Sequence, residues 1–226
     1  MKEKLITEFL GTFFLYSIIG LTAVLGGAGN MAPLAIGVGL AALIFASGHR
    51  SKAHFNPAVT LAFLTSKNQP TKEFIPYIIT ACLAAVSAAY CVQFIQPEAI
   101  AEIKLSALGL QYKDDFKLIP ALISEFLFTF ALVWVILNVA VAKGTQGNGF
   151  YGLAIGFTVA AGAYSVGSIS GASFNPAVNI GLFIHQVIDL KILITYSLIQ
   201  LLAGFSAALI FKCIEHKEAE SCSIES

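Results

Sequence analysis

Two short runs carry the most chemistry in this 226-residue chain: Asn56-Pro57-Ala58 and Asn175-Pro176-Ala177. Asn is a favoured helix N-cap and Pro is favoured at the first helical position, so each run predicts the start of a helix. A helix start presents unpaired N–H groups and about half a positive charge. The Asn amide adds donors for a passing oxygen. Pro57 and Pro176 fix the first turn, and Ala58 and Ala177 let two such ends approach closely. This is the chemistry of binding and of electrostatic exclusion; no nucleophile–base pair or nucleotide motif points to an enzyme. Taken singly, an Asn-Pro-Ala run is only a helix start. Two of them, each inside apolar sequence and 119 residues apart, need a common explanation.

The elements around the runs follow from composition. Hydrophobic residues make up 57% of the chain and charged residues 12%, with mean hydropathy +0.81. A soluble domain carries about 25% charged residues, so a lipid bilayer is the expected solvent. Net charge is zero, which argues against a nucleic-acid partner. Cys82, Cys91, Cys213 and Cys222 have neither metal-site spacing nor a disulfide framework. A spanning helix needs about 20 apolar residues. Six segments qualify, near residues 5–27, 32–49, 74–96, 119–142, 149–168 and 191–213. The run near the N-terminus is too long for a signal peptide. Two shorter apolar pieces, 57–65 and 176–186, begin at the Asn-Pro pairs and are read as half-membrane helices. Lys and Arg fall nine to four on the side of the N-terminus, which predicts cytoplasmic termini. Segment 97–118, with the Lys113-Asp114-Asp115 cluster, is expected to be an outer loop, and 215–226 a disordered tail.

The chain repeats itself. Leu34-Ala35-Ile36-Gly37 returns as Leu153-Ala154-Ile155-Gly156, and Phe55-Asn56-Pro57-Ala58-Val59 as Phe174-Asn175-Pro176-Ala177-Val178. Tyr77 and Ala84 return as Tyr196 and Ala203 at the same offset of 119. Thr7-Glu8-Phe9-Leu10 returns as Ser124-Glu125-Phe126-Leu127. Three spans per half force the second half to enter the membrane inverted, the plan of many transport proteins. The fold class is therefore all-α: six transmembrane helices and two re-entrant half-helices in two inverted repeats, about 5–96 and 119–213, forming one channel domain. The two helix starts then meet from opposite faces near the membrane centre.

At this point the chain resembles the aquaporin, or major intrinsic protein, family. Gly48-His49-Arg50-Ser51-Lys52-Ala53-His54-Phe55-Asn56-Pro57-Ala58-Val59-Thr60 is similar to the first family signature, and Ser170-Gly171-Ala172-Ser173-Phe174-Asn175-Pro176-Ala177 to the second. The resemblance implies one pore per protomer, a homotetramer in membrane lipid, and passive flux of water or small neutral solutes, with no cofactor or metal. It implies that Glu8 and Glu125 brace the re-entrant loops; a carboxylate snorkelling to the interface is the plainer alternative. His49 and His54 are read as loop-packing residues.

Departures from the family pattern concern selectivity. The residue after the second motif, usually Arg, is Val178, and the other three filter positions fall on Ile36, Ala163 and Ala172. A wide, uncharged, apolar filter is expected, open to glycerol, urea, ammonia or hydrogen peroxide. Asn179 stands where the glycerol-conducting subgroup carries Asp. Arg50 and Lys52 replace apolar and Gly residues; they either line the cytoplasmic vestibule or obey the positive-inside rule, and the second is the preferred reading. Ala81 and Gln200 replace a Gln in the third span and a Pro in the sixth. An inverted-repeat secondary transporter and a non-conducting scaffold are the alternatives; the first lacks mid-span ionisable groups beyond Glu8 and Glu125.

Overall fold

The computed structural model describes residues 1–105 and 116–224, with the side chains of 103–105 and 216–224 left aside. The described residues are helical throughout, joined by short connections. The first half contains α1 (Lys2–Ile19), α2 (Ala32–Ser51), α3 (Pro57–Thr65) and α4 (Thr71–Ile95). A linking helix, α5, spans Pro97–Leu105. The second half contains α6 (Leu118–Ala140), α7 (Tyr151–Ser170), α8 (Pro176–Ile184) and α9 (Leu190–Ile224). Six stretches are long and apolar enough to cross a membrane: Lys2–Val24, Gly29–Ser51, Thr71–Ile95, Leu118–Ala140, Tyr151–Ser170 and Leu190–Glu215. Helices α3 and α8 have nine residues each. At about 1.5 Å per residue they cross less than half of a bilayer's hydrocarbon core.

The segment expected to be an outer loop begins with α5; the Lys113-Asp114-Asp115 cluster lies outside the described residues. The backbone helix of α9 runs to Ile224. The first span does not stay α-helical. After Ile19 it widens into a π-turn over Gly20–Val24, where the Leu25 amide reaches back to the Gly20 carbonyl.

Packing obeys the repeat. Helix α1 lies on α2 and α4 as α6 lies on α7 and α9; α3 packs on α9 as α8 packs on α4. The two halves join where α2 crosses α7. There a Cβ added to Gly37 would sit 2.6 Å from the Gly156 carbonyl oxygen, and one added to Gly156 would run into that of Gly37. Only glycine admits this approach, and the two residues are each other's counterparts in the repeat. Large apolar residues of α2, α6 and α7, among them Ile36, Leu40, Ile44, Leu132, Ile136 and Ile155, belong to the main core cluster. Side chains such as Ile6, Phe94, Ile123 and Leu198 on the outer faces are exposed, as a lipid-facing surface requires.

Candidate functional site

The Asn-Pro-Ala runs start α3 and α8. Asn56 is extended (φ −156, ψ 120), and its side-chain oxygen accepts the Ala58 amide at 2.8 Å. Asn175 is extended (φ −155, ψ 115) and accepts the Ala177 amide at 2.9 Å. Pro57 and Pro176 occupy the first helical positions, where their missing N–H costs nothing. Each Asn then donates across the molecule: Asn56 Nδ2 to the Phe174 carbonyl and Asn175 Nδ2 to the Phe55 carbonyl, both at 2.9 Å. The two helix ends are therefore tied to each other. One hydrogen on each amide nitrogen is used by this crossing, and one remains for another acceptor.

Ahead of each helix the chain takes an unusual path. Lys52, Ala53 and Phe55 have φ of 71, 50 and 48; Gly171, Ala172 and Phe174 have 83, 53 and 49. Left-handed residues of this kind cost about 1–2 kcal/mol each unless they are glycine, so the surroundings must hold them. Two carboxylates supply the grip. Glu8, 1% exposed, accepts the His54 amide at 3.0 Å, the Phe55 amide at 2.7 Å and the Ser51 side chain. Glu125, fully buried, accepts the Ser173 amide at 3.0 Å, the Phe174 amide at 2.8 Å and the Ser170 hydroxyl at 2.7 Å. Tyr77 and Tyr196 each donate at 3.0 Å to the carbonyls of Ser51 and Ser170, closing the ends of α2 and α7. The Ser and Tyr partners stand at matching repeat positions, a signal that alignment of the halves already contained.

Beyond this shared frame the two loops differ. Glu125 also accepts the Ser173 hydroxyl at 3.1 Å and Gln200 Nε2 at 2.7 Å. Gln200 donates to Ser173 Oγ at 2.8 Å and accepts Asn179 Nδ2 at 2.8 Å. In the first half the matching positions are His54, Ala81 and Thr60. His54 Nδ1 meets the Thr60 hydroxyl at 3.2 Å, and its ring packs on Phe63 and Tyr77. The Thr60 hydroxyl donates to the Asn56 carbonyl at 3.0 Å, so it accepts from His54.

One cavity of about 1000 Å³ is lined by both Asn residues and by residues from both halves of the chain. Ile36, Ala163, Ala172 and Val178 all line it, together with Val24, Leu182 and Ile188, so the end opposite the N-terminus is apolar. The other end is polar, lined by His49, Lys52, Asn68, Thr145 and Asn148. Of the two expectations for Lys52, a vestibule residue or a positive-inside charge, its place on the cavity wall fits the first without excluding the second; its ammonium donates to the Asn68 carbonyl at 2.6 Å. Burial, aided by nearby Lys4, holds that ammonium below its ordinary pKa, against the pull of Glu73. Arg50 is not among the lining residues described. In the left-handed runs, no described hydrogen bond ends on the carbonyls of Ala53, His54, Ala172 or Ser173, so these remain acceptors beside the cavity.

Six spanning helices, with two half-helices meeting end to end beside one cavity, define an integral membrane protein of the channel type. The sequence matches the family described as Major intrinsic protein over residues 1–165 and 150–225, and the chain belongs to that family. It is 32% identical over 212 residues to aquaporin AqpM of Methanothermobacter thermautotrophicus, covering 83% of this chain and 85% of that one. Aquaporin NIP6-1 of Arabidopsis thaliana is 32% identical over 229 residues, covering 97% and 72% of the two chains. Aquaporin NIP3-1 of the same plant is 34% identical over 187 residues, covering 79% and 57%. Among solved structures, the aquaglyceroporin from Plasmodium falciparum superposes with a TM-score of 0.74 at 23% identity over 93% of each chain, a likeness of fold.

Proposed function

We propose that this chain is a passive channel for water and small neutral solutes, with the paired Asn residues at its central constriction and a wide apolar filter at one end. The crossed Asn56–Phe174 and Asn175–Phe55 hydrogen bonds carry this reading, because they hold two helix N-termini against one cavity. Two positive helix ends disfavour cations, hydronium included. A water accepting from the Asn amides points its hydrogens away on either side, which interrupts a proton wire. Glu8 and Glu125 act as braces for the left-handed loops.

Ile36, Ala163, Ala172 and Val178 form the filter. With no charge and little bulk it passes solutes larger than water, while an apolar wall gives water few partners. The N- and C-termini are cytoplasmic, the membrane is the plasma (inner) membrane, and the functional unit is a homotetramer with one pore in each subunit. The test is stopped-flow light scattering on proteoliposomes, comparing water, glycerol and urea. Val178→Arg places a long charged side chain in the filter and is expected to lower glycerol and urea permeability by about tenfold or more relative to water, the scale of 1.4 kcal/mol in a barrier. Unchanged solute selection in that variant would remove the filter assignment; no solute flux at all from the native chain would remove the channel.

A further inference from the structure

Lys52 lines the cavity but belongs neither to the Asn-Pro-Ala centre nor to the apolar end. Among the described residues lining the cavity, it is the sole Lys or Arg, and there is no Asp or Glu. Its ammonium is fixed at the wall: it donates to the Asn68 carbonyl at 2.6 Å and lies 5.7 Å from the Phe63 ring centroid, and both partners line the same cavity. Its charge is not cancelled by an ion pair among the described residues. The nearby carboxylate, Glu73, is taken by Lys4 at 2.8 Å.

The backbone makes this placement more telling. Lys52 caps α2 in the left-handed region, at φ 71, and its counterpart capping α7 is Gly171, at φ 83. A glycine meets no steric penalty there and a lysine does. A positive charge facing the aqueous phase could stand at Arg50 or elsewhere without that penalty. At position 52 the penalty is accepted and the charge is delivered to the cavity wall.

We propose that Lys52 is a specificity-determining residue that sets a positive barrier at the polar mouth, so that the pore carries its cation-repelling charge at this end and not in the apolar filter. The inference rests on the channel reading above. A cation entering this mouth passes an exposed unit charge on the cavity wall, and the two repel. A neutral solute feels no comparable force. Lys52 therefore adds a second barrier to that of the helix ends and leaves neutral flux alone.

The full-length chain in proteoliposomes tests this, with potassium flux and glycerol flux measured on the same preparations. Lys52→Gln and Lys52→Met are expected to raise potassium permeability by about tenfold or more. Lys52→Glu should raise it further, and Lys52→Arg should keep it at the native level. Glycerol flux should stay within about twofold in all four, since a neutral solute carries no charge for the field to act on. Native-like potassium permeability in the Gln, Met and Glu variants, with glycerol flux intact, would overturn the proposal. So would a native chain that already leaks as much potassium as they do, or loss of folded protein in every uncharged variant while Lys52→Arg folds, which would make the role structural. Absence of glycerol and water flux from the native chain would instead remove the channel reading itself.

Discussion

The loop before α3 and the loop before α8 follow nearly the same backbone path, yet they are held by unequal means. Around Glu8 three donors converge; around Glu125 there are five, and a chain of amides runs on from Gln200 to Asn179. The inequality is a transposition. Gln200 and Ala81 are counterparts in the repeat, and both depart from the family pattern, one by gaining a Gln and the other by lacking one. The long amide that the family resemblance would place beside the first carboxylate stands here beside the second. Each backbone fold is satisfied by its two loop amides and one Ser; what lies behind the carboxylate is free to vary. The first loop fills that space with the His54 ring against Phe63 and Tyr77.

The largest effect should come from removing the carboxylates. Glu125→Ala leaves five donors without their acceptor and Glu8→Ala leaves three. At about 1–3 kcal/mol for each buried donor left unmet, both variants are badly destabilised and the first is expected to lose the fold. Thermal unfolding of the detergent-purified proteins ranks them, and an equal or larger loss for Glu8→Ala would break the comparison.

Next comes the transposed amide. Gln200→Ala strips Glu125 and Ser173 of a donor and Asn179 of an acceptor, for an expected loss of about 1–3 kcal/mol. The reverse graft, Ala81→Gln, should not stabilise the first loop. Ala81 packs with Ala85 and Ala177 at a buried contact, and the added atoms overpack it at a similar cost. A rise in melting temperature for Ala81→Gln would show that the first site has room for the amide, and would sharpen the contrast into a simple choice between equivalent places.

The smallest effect tests what the loops share. Tyr77→Phe and Tyr196→Phe each delete one hydrogen bond to a helix-ending carbonyl, worth about 1 kcal/mol in both halves. Melting temperatures that fall together support a common frame; a large difference between them would mean that the asymmetry reaches the helix ends.

Much of this could be read before the structure. Hydropathy gave the spans, because lipid demands long apolar helices, and the repeat placed the two half-helices at the right residues. The carboxylates stood out because ionisable groups are rare in such sequence. What could not be read was reach across helices. Gln200 looked like a mere departure, since its value depends on α9 bringing it against Glu125. For Lys52 a vestibule position and a plain cytoplasmic charge both fit the sequence, since the left-handed cap that turns it along the cavity wall has no sequence signal of its own. The π-turn after Ile19 has no composition of its own.

The crossed Asn bonds also bear on how the molecule is made. Synthesis delivers the first half before the second, yet the Asn56 amide donates to a carbonyl of Phe174, and the Phe55 carbonyl accepts from Asn175. Until α8 arrives, the inner end of α3 sits at membrane depth with neither its donor nor its neighbouring acceptor met. The centre of the pore is thus completed only once the second half arrives, and its closure reports that both halves have inserted in opposite senses. A chain cut between α5 and α6 would yield two inserted but unfinished pieces, whose mutual recognition is written into two amide side chains.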